Sequence, residues 1–125
     1  MHLVIGGAYQ GKLRWAAVHF QLSDADIFTC TDSAPVDFSR RCIYHLEVFA
    51  LGCARRKEDP IGIFRAAYPA WADSIFICED IFCGVVPIER ESRVWREAAG
   101  QLATYLADRA ETVTRLFCGL EQRLK

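Results

Sequence analysis

Apolar positions along the chain fall into short unbroken runs separated by longer stretches in which they recur every three or four residues. Runs of strand length bounded by turn residues predict strands, and the three-to-four spacing predicts amphipathic helices. His2-Leu3-Val4-Ile5 is the first run; stopped by Gly6-Gly7, it predicts a strand entering a tight turn. From Lys12 to Gln21, Leu13, Ala16, Ala17 and Phe20 share one helical face, widened by Trp15 and Val18. Asp26 to Cys30 predicts a second strand, and Thr31 to Phe38, with Pro35, a connection. Arg40 to Arg56 carries Ile43, Leu46, Val48, Phe49, Ala50 and Cys53 and predicts a largely buried helix. It ends in Arg55-Arg56-Lys57, which complements the negative end of the helix dipole.

Asp59 suits a helix cap and Pro60 a first helical position, so a short helix opens there, with Ile61, Phe64, Ala67 and Tyr68 inward and Pro69 closing it. Ser74 to Cys78 is apolar without alternation, the pattern of a strand covered on both faces. Glu89 to Ala110 is the longest periodic segment, with Val94, Ala98, Leu102 and Leu106 on one face beside Trp95 and Ala99. Thr112 to Cys118 predicts a last strand, Gly119 ends it, and Glu121 to Lys125 is a tail. The order β-α-β-α-α-β-α-β predicts a three-layer α/β fold with a mostly parallel sheet. At this length a single domain over residues 1–125 is expected.

Charge narrows the partners. Lys+Arg 15 against Asp+Glu 16 leaves a net charge of -1, which excludes a broad nucleic-acid footprint. Only Lys12, Lys57 and Lys125 are lysines, so Lys12 stands out. No apolar run approaches the ~20 residues of a membrane span. The six cysteines sit among apolar neighbours with no C-x-x-C pair and no signal-like segment before them; free buried thiols and a cytoplasmic protein are expected.

The chemistry concentrates at the first turn. Gly6-Gly7-Ala8-Tyr9-Gln10-Gly11-Lys12 fits G-x-x-x-x-G-K between a predicted strand and a predicted helix, the setting in which that spacing forms a P-loop. Loop N–H groups and the helix N-terminus would face phosphate oxygens and Lys12 would reach the terminal phosphates. Leu13 stands where a Ser or Thr would ligate Mg²⁺. The plain alternative is a structural glycine turn with an exposed lysine. Ile75 to Asp80 is an apolar strand ending in Glu79 and Asp80, which suits a carboxylate beside a metal, or else a strand that has simply surfaced. Arg90, Arg93 and Arg96 recur near the start of the long helix, as a phosphate-facing stripe or as a solvated face paired with Glu89, Glu91 and Glu97. His2, His19 and His45 read as structural.

These pieces, in order, resemble the bifunctional adenosylcobinamide kinase and adenosylcobinamide-phosphate guanylyltransferase family. The resemblance lies in Leu3 to Lys12, in Asp80-Ile81-Phe82-Cys83-Gly84-Val85-Val86-Pro87, in Arg90, Arg93, Arg96-Glu97 and Gly100, and in Phe117-Cys118-Gly119 to Lys125. It implies a P-loop NTPase-like fold and transfer of phosphate from GTP or ATP, with Mg²⁺, to the aminopropanol hydroxyl of a corrinoid, followed by guanylylation, in a homotrimer. Residues 6 to 13 would hold the nucleotide, with Lys12 and Asp80 catalytic. Asp80 would also serve as metal ligand, with Glu79 and the three arginines near substrate or phosphate. Thr31 to Arg41 holds no histidine where the family's guanylyl acceptor lies, Phe82 replaces a glycine and Gln101 an arginine. The expectation is therefore a kinase whose guanylyltransferase step lacks its acceptor. The alternatives are a catalytically lapsed subunit that binds nucleotide or corrinoid, and a small interaction domain with no nucleotide.

Overall fold

A computed structural model describes residues 1–125. β1 (His2–Gly6), β2 (Ile27–Thr29), β3 (Cys42–Tyr44), β4 (Ile75–Glu79), β5 (Thr112–Phe117) and β6 (Leu120–Arg123) form one sheet in the order β2-β3-β4-β1-β5-β6. All pairings are parallel except β5 with β6. The helices are α1 (Lys12–His19), α2 (Leu46–Arg56), α3 (Pro60–Ala67) and α4 (Arg90–Arg109).

Alternation along the inner strands divides the core into two layers. Leu3, Phe76, Cys78 and Val113 point into a cluster with Leu46 and Phe49 of α2, Phe64 of α3 and Leu102 and Leu106 of α4. Their neighbours Val4, Ile75, Ile77 and Leu116 point the other way, onto Ala16 of α1 and the flanking Leu13 and Trp15. The sheet is therefore covered on both faces, which is why β4 reads as a continuous apolar run. The α/β three-layer expectation holds.

Two segments depart from the sequence reading. Arg40 to Arg56 is not one helix: Cys42–Tyr44 is β3, His45 breaks the chain in the left-handed region (φ 63, ψ 49), and α2 follows. A three-residue strand buried between β2 and β4 carries the same unbroken apolarity as the first turn of a buried helix, so periodicity merges them. The tail is β6, joined to β5 through Cys118 (φ 52) and Gly119 (φ 75), two consecutive positive-φ residues that suit the twist of a tight hairpin. Every residue of β6 is exposed, so no apolar pattern announces it. The asparagine-free pair Cys-Gly gave no hairpin signal either. The second strand is shorter than expected, because Asp26 ends a turn closed by Ser23.

Candidate functional site at the carboxyl edge of the sheet

Because β1, β3, β4 and β5 run parallel, their carboxyl ends open onto one edge, the place where α/β sheets hold ligands. β1 delivers the glycine loop there, β4 delivers Glu79 and Asp80, and β3 delivers His45. A cavity of about 510 Å³ lies between them, lined by the loop from Ala8 to Arg14 and by Tyr44, His45 and Glu79.

The loop is built on backbone that side chains resist. Gly6 has φ 151, and a Cβ there would lie 2.5 Å from the Leu116 carbonyl oxygen of β5. Gly11, at φ 85, is the left-handed residue from which α1 starts. Lys12 is buried, and its Nζ donates to the Gly7 carbonyl at 2.6 Å, so the loop curls around its own lysine. The β5–β6 hairpin braces the outside: the N–H of Gly119 donates to the Gln10 carbonyl at 3.1 Å, and that of Cys118 to the Gln10 side-chain oxygen. Leu13 packs against the α1-side cluster and brings no oxygen to the cavity.

The two acids at the end of β4 diverge. Asp80 lies beside the loop: its N–H donates to the Gly6 carbonyl at 3.1 Å, and its Oδ2 is 3.9 Å from the Arg115 guanidinium. Glu79 lines the cavity, and its N–H donates to Glu47 Oε2 at 2.9 Å. Glu47 is buried, and its Oε1 bonds to His45 Nδ1. Burial pushes the Tyr44 hydroxyl and the Cys78 thiol up, and the negative charge of Glu47 adds to both.

The arginines of α4 take other partners. Arg96 donates to the carbonyls of Phe82 (3.0 Å), Gly84 (3.2 Å) and Val85, and Arg93 to those of Pro87 (3.3 Å) and Ile88. Both tie down the loop between β4 and α4, while Arg90 is exposed, and none of the three lines the cavity. Three residues of this edge escaped the sequence reading. His45 and Glu47 fall inside the helix that periodicity predicts over Arg40 to Arg56, where His45 reads as structural and nothing singles out Glu47. Arg115 sits mid-strand, with no motif around it.

A family model for cobinamide kinase / cobinamide phosphate guanyltransferase matches residues 56–124, just over half of the chain. The chain belongs to this family. The match runs through β4, Asp80, α4 and the β5–β6 hairpin, which hold the later pieces of the resemblance, and leaves its first piece, the glycine loop from Leu3 to Lys12, and His45 outside it. Membership in the cobinamide kinase / guanyltransferase family places the chain in cobinamide processing, a part of cobalamin biosynthesis. No curated protein matches it in sequence. No helix is long and apolar enough to cross a membrane.

Proposed function

We propose that the chain is a nucleotide-dependent cobinamide kinase-like protein that moves the terminal phosphoryl group of GTP or ATP onto the aminopropanol hydroxyl of a corrinoid. The observation that carries this reading is the glycine loop curled around the buried Lys12 at the end of β1, with Asp80 bonded to it through its N–H and its carboxylate beside Gly7. In that reading the amides from Gly7 to Lys12 and the start of α1 cradle the phosphates, and Lys12 turns from the Gly7 carbonyl to the transferring group. The hydroxyl oxygen forms the new bond to phosphorus as the bond to the bridging oxygen breaks and the nucleoside diphosphate leaves; Asp80 orients the hydroxyl and accepts its proton.

The residues fit Mg²⁺ through carboxylate oxygen: Asp80 has a partly solvated carboxylate beside the loop, whereas Leu13 supplies nothing. Asp80 would hold the ion, which neutralises phosphate charge when bound. The homotrimer and the cytoplasmic setting belong to the same proposal.

Leu13 and the histidine-free Thr31–Arg41 stretch favour a second reading, a lapsed subunit that binds nucleotide or corrinoid without turnover. Incubation with adenosylcobinamide, Mg²⁺ and GTP or ATP, followed by mass spectrometry of the corrinoid, separates the two. Cobinamide phosphate is expected, and Lys12→Ala should lower its rate by at least about a hundredfold. Unchanged cobinamide together with nucleotide-dependent thermal stabilisation would favour the lapsed subunit, and loss of both responses would sink the two readings together.

A further inference from the structure

The ends of β3 and β4 and the first turn of α2 gather three side chains of metal-ligand type, His45 and Glu79 on the cavity wall and Glu47 buried behind them. His45, Glu47 and Glu79 each place one donor atom so that all lie within 4.8 Å of one another. Two of the three are carboxylates, yet neither has a lysine or arginine partner: Glu47 pairs only with the imidazole, and Glu79 with no basic group. Lys12 lines the same cavity but directs its ammonium to the Gly7 carbonyl. Burying carboxylate charge is costly, and beside the buried Glu47 the protein places no lysine or arginine, only the His45 imidazole.

Hydrogen bonding orients the set. An ionised carboxylate can only accept, so the contact between Glu47 Oε1 and His45 Nδ1 makes Nδ1 the donor and turns Nε2 to the other side of the ring as the atom that can meet a metal. The other oxygen of Glu47 accepts the Glu79 N–H, which fixes the end of β4 against the same group. A carboxylate behind an imidazole in this way sets the tautomer and makes the outer nitrogen a better ligand.

We infer that His45, Glu47 and Glu79 form a divalent-cation site, with His45 Nε2 and the Glu79 carboxylate as direct ligands and Glu47 holding both from behind. The mixed nitrogen and oxygen donors select Mn²⁺ or Zn²⁺ over Mg²⁺, which prefers oxygen alone and gives up its water reluctantly. The site does not include Asp80, which follows Glu79 but does not line the cavity and turns its carboxylate to Arg115. It stands whether or not the chain uses a nucleotide, and it is tested without one.

Mn²⁺ is titrated into the purified chain while the free ion is followed by its electron paramagnetic resonance signal. One Mn²⁺ per chain is expected, displaced by equimolar Zn²⁺ and retained in a large excess of Mg²⁺. His45→Ala and Glu79→Gln should each weaken binding by at least about tenfold. Lys12→Ala should keep the Mn²⁺ while losing any stabilisation by GTP, so failure of the cation site and failure of the nucleotide reading give different results. Absence of Mn²⁺ binding by the unaltered chain overturns the inference whatever the variants' stability. So does Mn²⁺ affinity in the two ligand variants unchanged from that of the unaltered chain, or displacement by Mg²⁺ at equal concentration.

Discussion

Gly6 shows how little freedom a single position of the glycine loop has. Any side chain there meets the Leu116 carbonyl of β5 and a backbone angle of φ 151 that L residues rarely adopt. Gly6→Ala should therefore cost about 3 kcal/mol of stability, read as a lower urea midpoint at unchanged slope. An unchanged midpoint would show that β5 can move away. At this scale the sequence was most informative where a motif has fixed spacing: G-x-x-x-x-G-K located Lys12 and the loop without any structure. It was least informative for His45 and Glu47, whose meaning depends on a strand only three residues long ending beside them. Arg115 could not be found at all, because its proximity to Asp80 arises from the pairing of β1 with β5 rather than from any local pattern.

Among the elements, α4 carries the clearest division of labour. Its inner face supplies Leu102 and Leu106 to the core, while Arg93 and Arg96 reach back to fasten the preceding loop by its carbonyls. Cations at a helix start work against the dipole, and these hydrogen bonds are what offsets that cost. Arg96→Ala should release the segment from Phe82 to Ile88, which already exposes Val85, Val86 and Ile88. Hydrogen exchange across that loop should accelerate about tenfold, with about 1 kcal/mol of global stability lost. Equal exchange in the variant would show that the loop holds its shape without the arginine. Long helices and the uniformly apolar β4 were readable because their periodicities persist over many residues. β3 and β6 were not: one is too short to show a period, and the other is an exposed edge strand with no buried face to record.

The whole molecule treats its six thiols in two ways. Cys30, Cys42, Cys53 and Cys78 are buried in the layers around the sheet, whereas Cys83 and Cys118 are exposed, so the expectation of uniformly buried thiols holds for only four. In the folded protein at neutral pH, iodoacetamide should alkylate two cysteines rapidly and the other four only on unfolding; uniform labelling would contradict the packing. Burial pushes Cys30 and Cys42 up to about 12 and Cys53 to about 11, from an ordinary value of 9.0. Above pH 9 the unfolded chain loses thiol protons that the folded chain keeps, so the folded state binds more protons and stability falls as pH rises. The decline should begin near pH 9 and continue to about pH 12, measured as a falling melting temperature. Cys→Ser at the exposed Cys83 should leave that decline unchanged.

The position of β1 in the sheet also bears on how the chain is made. It precedes both of its hydrogen-bonded neighbours, β4 and β5, in the sequence, and its glycine loop is braced by the turn before β6. Synthesis therefore delivers a strand with both edges unpaired: one edge stays open until β4 has been made and the other until β5. Early nascent chains present His2 to Gly6 as an open apolar edge, a ready target for chaperones or for another growing chain. The loop around Lys12 takes its final form only when the last hairpin closes on Gln10, so a ribosome-bound intermediate ending before β5 has no formed site.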